Sequence, residues 1–562
     1  MSELFRPVSI QQLASWIFGE LDIRNSVFGI PRQQFFVPGV DDPYRTSAFD
    51  HPIDTPFGPA AGPHTQMAQN IVAAWLCGAR YIELKTVQTL DEIEVTKPCI
   101  DMQDEGYNVE WSQELKVYES FDEYLRAWVL IHALHHKLGF PGDRPNVIFN
   151  LSVGYDLEGI HNPNVQWFLD QVSDSSVYIQ DIVDAVGNFY PPAHDIAIPT
   201  KLSNNVTLST MHGCPPDEIQ GISEYLLQER GLHTLVKCNP TLLGPDTVRR
   251  LLHDDLGYSE VTVPDAAFEH DLKYADAIPM LRNLVRTADD CDLCFGVKLS
   301  NTLEVENVRS VFDATEKTAY LSGRALHAVT VNLACQLADE FDGNLPMSFS
   351  AGVSSANAPQ LLACGMQTVT VCSDLLKTGG YLRFRDYIDV LGNACADAGS
   401  ISGFITSTDS PAPIDVRHAA LANLRHYAER TRVDPDNIKN TFDTSHTKTS
   451  RKLDLFDCIE APCVDECPLD QQVPTYLGAV RAGDNSAAQA IIREDNPVAC
   501  ILGRACDHRC ELACVRTHLD EPVAIRDIKR FAMDQGDVPP SCLLYTSPSP
   551  RDRTHHHESR HL

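Results

Sequence analysis

The sequence Cys458-Ile-Glu-Ala-Pro-Cys463-Val-Asp-Glu-Cys467-Pro468 opens the most informative stretch of this chain, and Cys506-Asp-His-Arg-Cys510-Glu-Leu-Ala-Cys514 closes it. With Cys500, the stretch holds seven of the chain's 18 cysteines. Thiolates three or four residues apart lie on one face of a helical turn, so several can bind one metal centre. A cysteine directly before proline is typical of two-cluster ferredoxin-like sequences, where it ligates the other cluster. We therefore expect the two ends of the stretch to fold together around an iron–sulfur centre.

Other uses of these cysteines are less favoured by the spacing. A disulfide framework is disfavoured because the chain is large and nothing in it marks secretion. A tetrahedral zinc site stays open, since Cys-x3-Cys-x3-Cys supplies enough thiolates, but zinc ribbons and fingers use shorter Cys-x2-Cys steps. A zinc-stabilised structural module is therefore a remaining alternative to the cluster hypothesis.

Length and composition place the whole chain among ordinary multidomain globular proteins. It has 562 residues, of which 43% are hydrophobic and 22% charged, and this length predicts two or more domains. The formal charge of −32 disfavours binding to nucleic acid or to anionic membrane surfaces, which require a basic footprint. The sequence contains no apolar segment long enough to span a membrane and no export signal at Met1–Arg6. These features predict a cytoplasmic protein in a reducing compartment.

The long amino-terminal region alternates short β-like segments with longer amphipathic ones between about Asp54 and Leu391. Such alternation predicts a parallel sheet with crossover helices, and eight repeats suit a (β/α)8 TIM barrel. A doubly wound open sheet is the alternative. The predicted strands are Phe57–Ala61, Tyr81–Lys85, Val147–Leu151, Val206–Met211, Leu235–Asn239, Phe295–Leu299, Met347–Ala351 and Thr368–Cys372.

The carboxyl ends of these predicted strands are polar and rich in glycine, which is where a TIM barrel carries its chemistry. A lysine at such an end can neutralise an electron-rich flavin, and small residues let a phosphate approach backbone N–H groups. The candidate cofactor-binding residues are Ala61, Gly62, Lys85, Thr86, Asn150, Lys237, Asn301, Thr302, Gly352, Cys372, Ser373 and Asp374.

The cysteine stretch resembles the iron–sulfur module shared by dihydropyrimidine dehydrogenase and the small subunit of glutamate synthase. Asn496-Pro497, Gly503-Arg504-Ala505-Cys506 and Pro522-Val-Ala-Ile525 match residues of that module. The resemblance implies two 4Fe-4S clusters. It assigns Cys458, Cys463 and Cys514 to one cluster, and Cys467, Cys506 and Cys510 to the other.

Two of the eight ligand positions of that module are altered in this chain. Leu455 stands where the module has its first cysteine, and Lys529 stands where it has Gln or Glu. An ammonium group has no lone pair for iron, so each cluster is one ligand short. Cys500 is a candidate to fill one gap, and we expect one or two clusters.

The barrel segment resembles the FMN-binding barrels of dihydroorotate and dihydropyrimidine dehydrogenases. Lys85-Thr86, Lys237-Cys-Asn-Pro240, Ser300-Asn301-Thr302, Ser350-Ala-Gly352 and Val371-Cys-Ser373 match their strand-end motifs in order. The resemblance implies that Lys85 and Lys237 face the isoalloxazine, and that Gly352, Cys372, Ser373 and Asp374 lie near the FMN phosphate. The catalytic loop departs, because Thr210 occupies the position of the general base. Cys214 and His212 are the candidate catalytic residues in its place.

The order of the segments, with the barrel first and the clusters second, resembles an iron–sulfur flavoprotein family named for a selenate reductase subunit. That resemblance implies an oxidoreductase component passing electrons between NAD(P)H, 4Fe-4S clusters and a flavin in the barrel. Its partner would be a small-molecule substrate or another redox subunit, such as a molybdenum hydroxylase. The alternative is a non-catalytic electron-relay or assembly subunit whose barrel is an empty scaffold.

These observations predict a TIM barrel followed by a small α-helical iron–sulfur domain. The predicted segments are an amino-terminal extension at 1–45, the barrel at 46–400, a connection at 401–450, the 4Fe-4S domain at 451–536 and an artefactual tail at 537–562. The tail is set apart because Cys542–Asp552 resembles a translated sequencing adapter. The resembled families continue into a dinucleotide-binding domain with Gly-x-Gly-x-x-Gly, a motif that this sequence lacks. FAD and NADPH are therefore expected only through a missing carboxyl-terminal domain.

Overall fold

The computed structural model describes residues 7–91, 99–103, 107–108, 114–209, 213–308, 316–377, 379–407, 415–439, 461–514 and 521–535. The chain divides into two compact units, Met1–Lys452 and Leu453–Leu562, which are described separately. No helix within the described ranges is both long and apolar enough to cross a lipid bilayer.

A sheet of eight parallel strands forms the centre of the first unit. The strands are β1 Phe57–Pro59, β2 Tyr81–Glu83, β3 Ile148–Gly154, β4 Asn205–Ser209, β5 His233–Cys238, β6 Phe295–Leu299, β7 Met347–Phe349 and β8 Thr368–Val371. Along the sheet the strands follow the order β1-β8-β7-β6-β5-β4-β3-β2, and the N–H of Arg80, just before β2, donates to the carbonyl of Phe57 in β1 over 2.8 Å. An order that runs once around the sheet without reversing is that of a TIM barrel and not of a doubly wound sheet.

The barrel prediction is confirmed, and each of the eight predicted strands overlaps one strand of the sheet. β6 has the predicted bounds, whereas β3 continues three residues past the predicted end at Leu151. Gly58 allows β1 to approach β2, because a Cβ atom at this position would lie 1.6 Å from the carbonyl oxygen of Tyr81. Only glycine fits so close a backbone approach.

Helices of the first unit pack around the barrel and bury an extensive apolar core. The helix Val117–Leu138 ends at Gly139, whose φ of +67° suits a glycine in the left-handed region. Its α-helices are Ile10–Arg24, Ala68–Leu76, Val117–Leu138, Leu157–Ile160, Pro163–Ser173, Ile179–Gly187, Pro216–Gln228, Pro245–Arg250, Asp265–His270, Tyr274–Asp290, Arg324–Glu340, Ala358–Ala363, Arg383–Cys395, Ile401–Ser407 and Val416–Thr431.

Three small sheets accompany the barrel in the described part of the first unit. The hairpin Thr46–Ala48 and His51–Ile53 carries Phe49, which packs in one apolar cluster with Tyr81 and Ile148 at the starts of β2 and β3. This hairpin therefore lies at the amino ends of the strands. A four-stranded sheet inserted after β2 and β6 contains Ile100–Asp101, Tyr107–Asn108, Leu303–Glu306 and Thr318–Leu321, and a further pair is Ser26–Val27 with Ile30–Pro31.

The second unit is helical in its described ranges, 461–514 and 521–535. Its apolar core contains Val464, Tyr476, Ala488, Ile492 and Ile525, so helices from both ends of the cysteine stretch share one core. The helices are Pro462–Asp465, Val473–Arg481, Asn485–Asp495, Ala499–Ala505, Arg509–Leu512 and Ile525–Asp534.

Candidate functional site

A buried ion pair lies inside the barrel near the carboxyl ends of the strands. Glu83, the last residue of β2, pairs with the ammonium group of Lys298 in β6. The other carboxylate oxygen of Glu83 accepts a hydrogen bond from the N–H of Ala61 over 3.2 Å. Lys298 also donates to the hydroxyls of Ser348, over 3.2 Å, and of Thr370. A buried charge pair persists only when further hydrogen bonds complete it, and this pair has them.

Lys237, near the end of β5, is the second charged feature of this region. The pKa of Lys237 is lowered to about 8, mainly by burial and also by the positive charges of Lys298 and Lys85, although the carboxylate of Glu83 acts to raise it. The side chain is half-buried. Within the described ranges, no group forms a hydrogen bond or ion pair with its ammonium. Lys237 thus holds a partly desolvated positive charge that a ligand at this end of the barrel can neutralise.

Most of the predicted cofactor-binding residues follow strand ends on this same side of the barrel. The ring N–H of His64 donates to the carbonyl of Cys372 over 3.2 Å, and a Cβ on Gly62 would lie 3.5 Å from the sulfur of Cys372. The segments after β1 and β8 are therefore neighbours. The residues that lie within three positions after a strand are Ala61 and Gly62 after β1, Lys85 and Thr86 after β2, Asn301 and Thr302 after β6, Gly352 after β7, and Cys372, Ser373 and Asp374 after β8.

Asn150 lies within a strand and not at its end, which corrects the predicted strand bound. Its Nδ2 donates to Oδ1 of Asn205 over 2.7 Å, and its Oδ1 accepts from the hydroxyl of Thr207 over 2.7 Å. β3 extends to Gly154 because Ser152 and Gly154 form hydrogen bonds with Val87, beyond the end of β2. The amide of Asn150 is thus engaged inside the barrel, and its predicted cofactor role stays a prediction.

Asp374 is held by three neighbouring side chains. Arg383 donates to both of its oxygens over 2.8 and 3.0 Å, and the hydroxyl of Tyr387 donates to Oδ2 over 2.9 Å. Lys377 completes the group with an ion pair of 3.3 Å. These contacts neutralise the carboxylate, so it need not repel a nearby phosphate.

Two positions after β6 and β7 have unusual surroundings: the first has a hydroxyl that a ligand can bond, and the second packs closely against the backbone of the chain itself. The hydroxyl oxygen of Thr302 is buried and has no hydrogen-bond partner among the described residues. Gly352 has a φ of +54°, and a Cβ there would lie 2.6 Å from the carbonyl oxygen of Gly323. An unsatisfied buried hydroxyl costs free energy unless a ligand supplies its partner.

Cys214 is placed beside acidic side chains, which affects its predicted catalytic role. Its thiol donates to Oε2 of Glu218 over 3.7 Å. Burial and the charge of Glu218 raise the pKa of Cys214 to about 12. The thiol is therefore protonated near neutral pH and is a poor base in this geometry. Thr210 and His212 lie outside the described residues, so the catalytic role of His212 stays a prediction.

The second unit brings the two ends of the cysteine stretch together. Burial and then the charges of Cys514 and Cys467 raise the pKa of Cys463. Burial and then the charges of Cys467, Glu511 and Cys506 raise the pKa of Cys510 to about 11, while Lys529 lowers it. Such mutual effects require short distances. Cys458 and Leu455 lie outside the described residues, and Cys500 is exposed.

Tyr476 and Gln471 also belong to this cysteine site, although no sequence motif pointed to either residue. Tyr476 is buried, and its pKa is raised by burial and by the charges of four cysteines: Cys510, Cys467, Cys463 and Cys506. The ammonium of Lys529 donates to Oε1 of Gln471 over 3.3 Å and to the sulfur of Cys506 over 3.7 Å. Lys529, which stands where the resembled module has a cluster ligand, thus lies directly beside the thiol of Cys506.

The chemistry of this site fits an iron–sulfur cluster, in which each thiolate binds a different iron. The free thiols of Cys463, Cys467, Cys506, Cys510 and Cys514 supply the sulfur donors that such a cluster requires.

Two family models of known proteins match this chain. The model of the N-terminal TIM-barrel domain of oxidoreductase YgfK matches residues 28–430. The model of domain II of dihydropyrimidine dehydrogenase, a 4Fe-4S cluster domain, matches residues 434–538. The chain belongs to the YgfK oxidoreductase family. The predicted order of a TIM barrel followed by a 4Fe-4S domain is confirmed. The match to a 4Fe-4S domain favours the cluster hypothesis over a zinc-stabilised module.

Individual relatives match this chain over different lengths. The chain is 38% identical over 555 residues to the oxidoreductase YgfK of Escherichia coli (strain K12), which covers 95% of this chain and 52% of that protein. It therefore spans about half the length of the curated relatives it matches. It is 43% identical over 76 residues to the NADP(+)-dependent formate dehydrogenase subunit beta of Moorella thermoacetica, covering 14% of this chain and 11% of that protein.

A solved structure was found for the barrel segment at low similarity. The ligand-free DHODH from Eimeria tenella is 14% identical, with a TM-score of 0.43, and the match covers 72% of this chain and 99% of that one. The assignment of the barrel rests on the strand order and on the family model.

Proposed function

We propose that this chain is the barrel and cluster part of an iron–sulfur flavoprotein oxidoreductase. Electrons would pass between NAD(P)H, an FAD on a domain outside this chain, the 4Fe-4S clusters and an FMN at the carboxyl end of the barrel. A role as a selenate reductase subunit, as the resembled family's name suggests, is part of the same proposal. The cytoplasm is the proposed compartment.

The observation that carries this proposal is the ammonium of Lys237. It lies at the functional end of the barrel with a pKa lowered to about 8, and no described group pairs with it. A reduced flavin carries extra negative charge on its pyrimidine ring, and a fixed ammonium stabilises that charge. Lys85 contributes a second positive charge, since it lowers the pKa of both Lys237 and His64.

The barrel also offers groups for the rest of an FMN molecule. The orphan hydroxyl of Thr302 can donate to or accept from a ring or ribityl group. The neutralised carboxylate of Asp374 removes a source of repulsion. When bound, FMN would supply the hydride and single-electron chemistry, while these residues bind and orient it.

The helical unit supports the electron-transfer part of the proposal. The charges of Cys514 and Cys467 both act on Cys463, and those of Cys467 and Cys506 act on Cys510. Cys463 with Cys514, and Cys467 with Cys506 and Cys510, would serve two clusters. The formate dehydrogenase relative is named as a beta subunit, which supports a partner redox subunit for this chain. A molybdenum hydroxylase is the proposed class of that partner.

Cofactor analysis of anaerobically purified protein tests the proposal. We expect iron and acid-labile sulfide in equal amounts, an EPR signal on reduction, and FMN released by denaturation. K237M should lose FMN but retain iron, whereas K137M, on the outer helix Val117–Leu138, should retain both. Purified protein that contains iron but takes up no FMN, even with FMN in excess, would refute the flavin part.

A second candidate function is an electron-relay subunit with an empty barrel. The observation that favours it is the protonated thiol of Cys214, which leaves the described catalytic loop without a base. Under this hypothesis the purified protein contains clusters and no FMN. The same cofactor analysis therefore distinguishes the two functions.

A further inference from the structure

A cleft of about 210 Å³ lies at the amino ends of β3 and β4, in the first unit. One wall is the helix Val117–Leu138, which contributes Trp128 and His132. The residues that enter the two strands, including Arg144 and Lys201, form another wall, and His51 of the amino-terminal hairpin closes the cleft. Lys237, near the carboxyl end of β5, and the predicted flavin-binding residues that follow strands lie at the opposite ends of the strands, so this cleft is a separate site.

The cleft is positively charged in a chain whose formal charge is −32. None of the residues lining it is a carboxylate, and within the described ranges neither Arg144 nor Lys201 forms an ion pair. Burial lowers the pKa of His51, and Arg144 and Lys201 lower it further, which places both charges near the same ring. Asp50, which opposes this effect, is largely exposed and lies 3.6 Å from His233.

The buried wall of the cleft combines a flat aromatic surface with an unused ring nitrogen. His132 is 2% exposed, and its Nδ1–H donates to the carbonyl of Trp128 over 2.8 Å. Nε2 of this ring has no hydrogen-bond partner among the described residues, and burial lowers the pKa of His132 to about 4. Nε2 is therefore a neutral acceptor. The indole of Trp128 packs against the His132 ring at 4.5 Å between centroids.

The positive charges and the aromatic wall of the cleft are complementary to a ligand that has an anionic group and an apolar ring. The cleft is larger than an inorganic oxyanion needs, and binding sites for small organic molecules combine an apolar wall with a few placed polar groups. Guanidinium and ammonium groups form the strongest hydrogen bonds with carboxylate and phosphate oxygens. We propose that this cleft binds a small ring-bearing oxyanion, a carboxylate or phosphate monoester, with Arg144 and Lys201 on the oxyanion and Trp128 and His132 beside the ring.

Binding of defined probes to the purified full chain tests this proposal. Benzoate, phenyl phosphate, inorganic phosphate and neutral benzyl alcohol are titrated by calorimetry and by tryptophan fluorescence. We expect saturable binding of benzoate and phenyl phosphate with Kd of about 1 mM or below, and at least about tenfold weaker binding of benzyl alcohol and inorganic phosphate. Because Trp128 lines the cleft, W128F should remove the fluorescence change.

Paired variants separate the cleft from general surface charge. R144M/K201M should weaken binding of both aromatic anions by at least about tenfold. R417M/K273M removes the same charge elsewhere on the unit and should leave binding unchanged. Equal thermal unfolding midpoints of the two variants show that folding is not the cause. Absence of saturable binding, binding of benzyl alcohol as tight as that of benzoate, or unchanged affinity in R144M/K201M would each overturn the proposal.

Discussion

The ammonium nitrogen of Lys529 lies 3.7 Å from the sulfur of Cys506. Lys529 is a buried side chain, and its other hydrogen bond goes to Gln471, so the charge has a fixed position. A positive charge beside a cluster ligand favours the form of the cluster that carries the extra electron.

We therefore expect K529M to lower the midpoint potential of the nearby cluster. At an effective dielectric constant of about 20 and a few ångströms' separation, the expected shift is on the order of 100 mV. An EPR-monitored redox titration measures it. K529R keeps the positive charge. Its midpoint potential should differ from that of the wild type by no more than about a third of the shift expected for K529M. A potential unchanged in K529M would show that Lys529 does not act on the cluster.

The cysteines should differ in their effect on iron content. C506S removes a thiol from the site shared with Cys510 and Tyr476, so we expect a loss of about four iron atoms per chain, one cluster's worth. C500S should keep the wild-type iron content. Cys500 is exposed, and its charge is not among the causes that raise the pKa of Cys463 or of Cys510. Iron and sulfide assays on anaerobically purified protein measure both. A loss in C500S equal to that in C506S would instead make Cys500 a ligand.

Breaking the ion pair inside the barrel should destabilise the first unit strongly. E83Q leaves the buried ammonium of Lys298 without its counter-ion, and removing one member of a buried pair costs about 3–5 kcal/mol. E83M/K298M removes both charges and should cost less than E83Q alone, because no unpaired charge remains. Urea unfolding followed by circular dichroism gives the free energies. If the double variant is the less stable one, the pair is not the source of the effect.

Lys237 should make the stability of flavin-free protein depend on alkaline pH. Its pKa is lowered to about 8 in the folded chain, whereas a lysine in the unfolded chain has a pKa of about 10.4. Between these values the unfolded chain binds more protons, so the free energy of unfolding rises with pH in this window. K237M should lose this rise, measured as the difference between the two proteins at pH 8 and pH 10. Parallel curves for the two proteins would refute the lowered pKa.

The thiol of Cys214 should react slowly with alkylating agents near neutral pH. Its pKa of about 12 leaves little thiolate, which is the reactive form. E218Q removes the carboxylate that accepts its hydrogen bond, so alkylation of Cys214 at pH 8 should accelerate by about tenfold, as a pKa decrease of about one unit predicts. Peptide mass spectrometry after iodoacetamide treatment measures the rate at this residue. Equal rates in both proteins would contradict the role of Glu218.

Local sequence patterns were sufficient to predict the strands of the barrel, whereas the helical cluster domain was predicted from cysteine spacing together with a family resemblance. Phe295–Leu299 matches β6 because its apolar residues and flanking polar loops reflect burial along a single strand. The end of β3 was predicted too early, since its last residues pair with β4 and with Val87, both of which come from other segments of the chain. Lys85, Asn301 and Gly352 follow strands of the barrel, and Lys237 lies near the end of β5, while their roles in cofactor binding stay predictions.

The sequence by itself determined which residues can carry charge or bind metal, and in which kind of element each would lie. Only the tertiary structure decided which of them meet. Glu83 and Lys298 lie in strands that are far apart along the chain, and Tyr476 reaches four cysteines from both ends of the cysteine stretch. Periodicity reports burial and secondary structure, which depend on neighbouring residues. Contacts between distant residues depend on strand order, register and helix packing, which come into existence only when the whole chain folds.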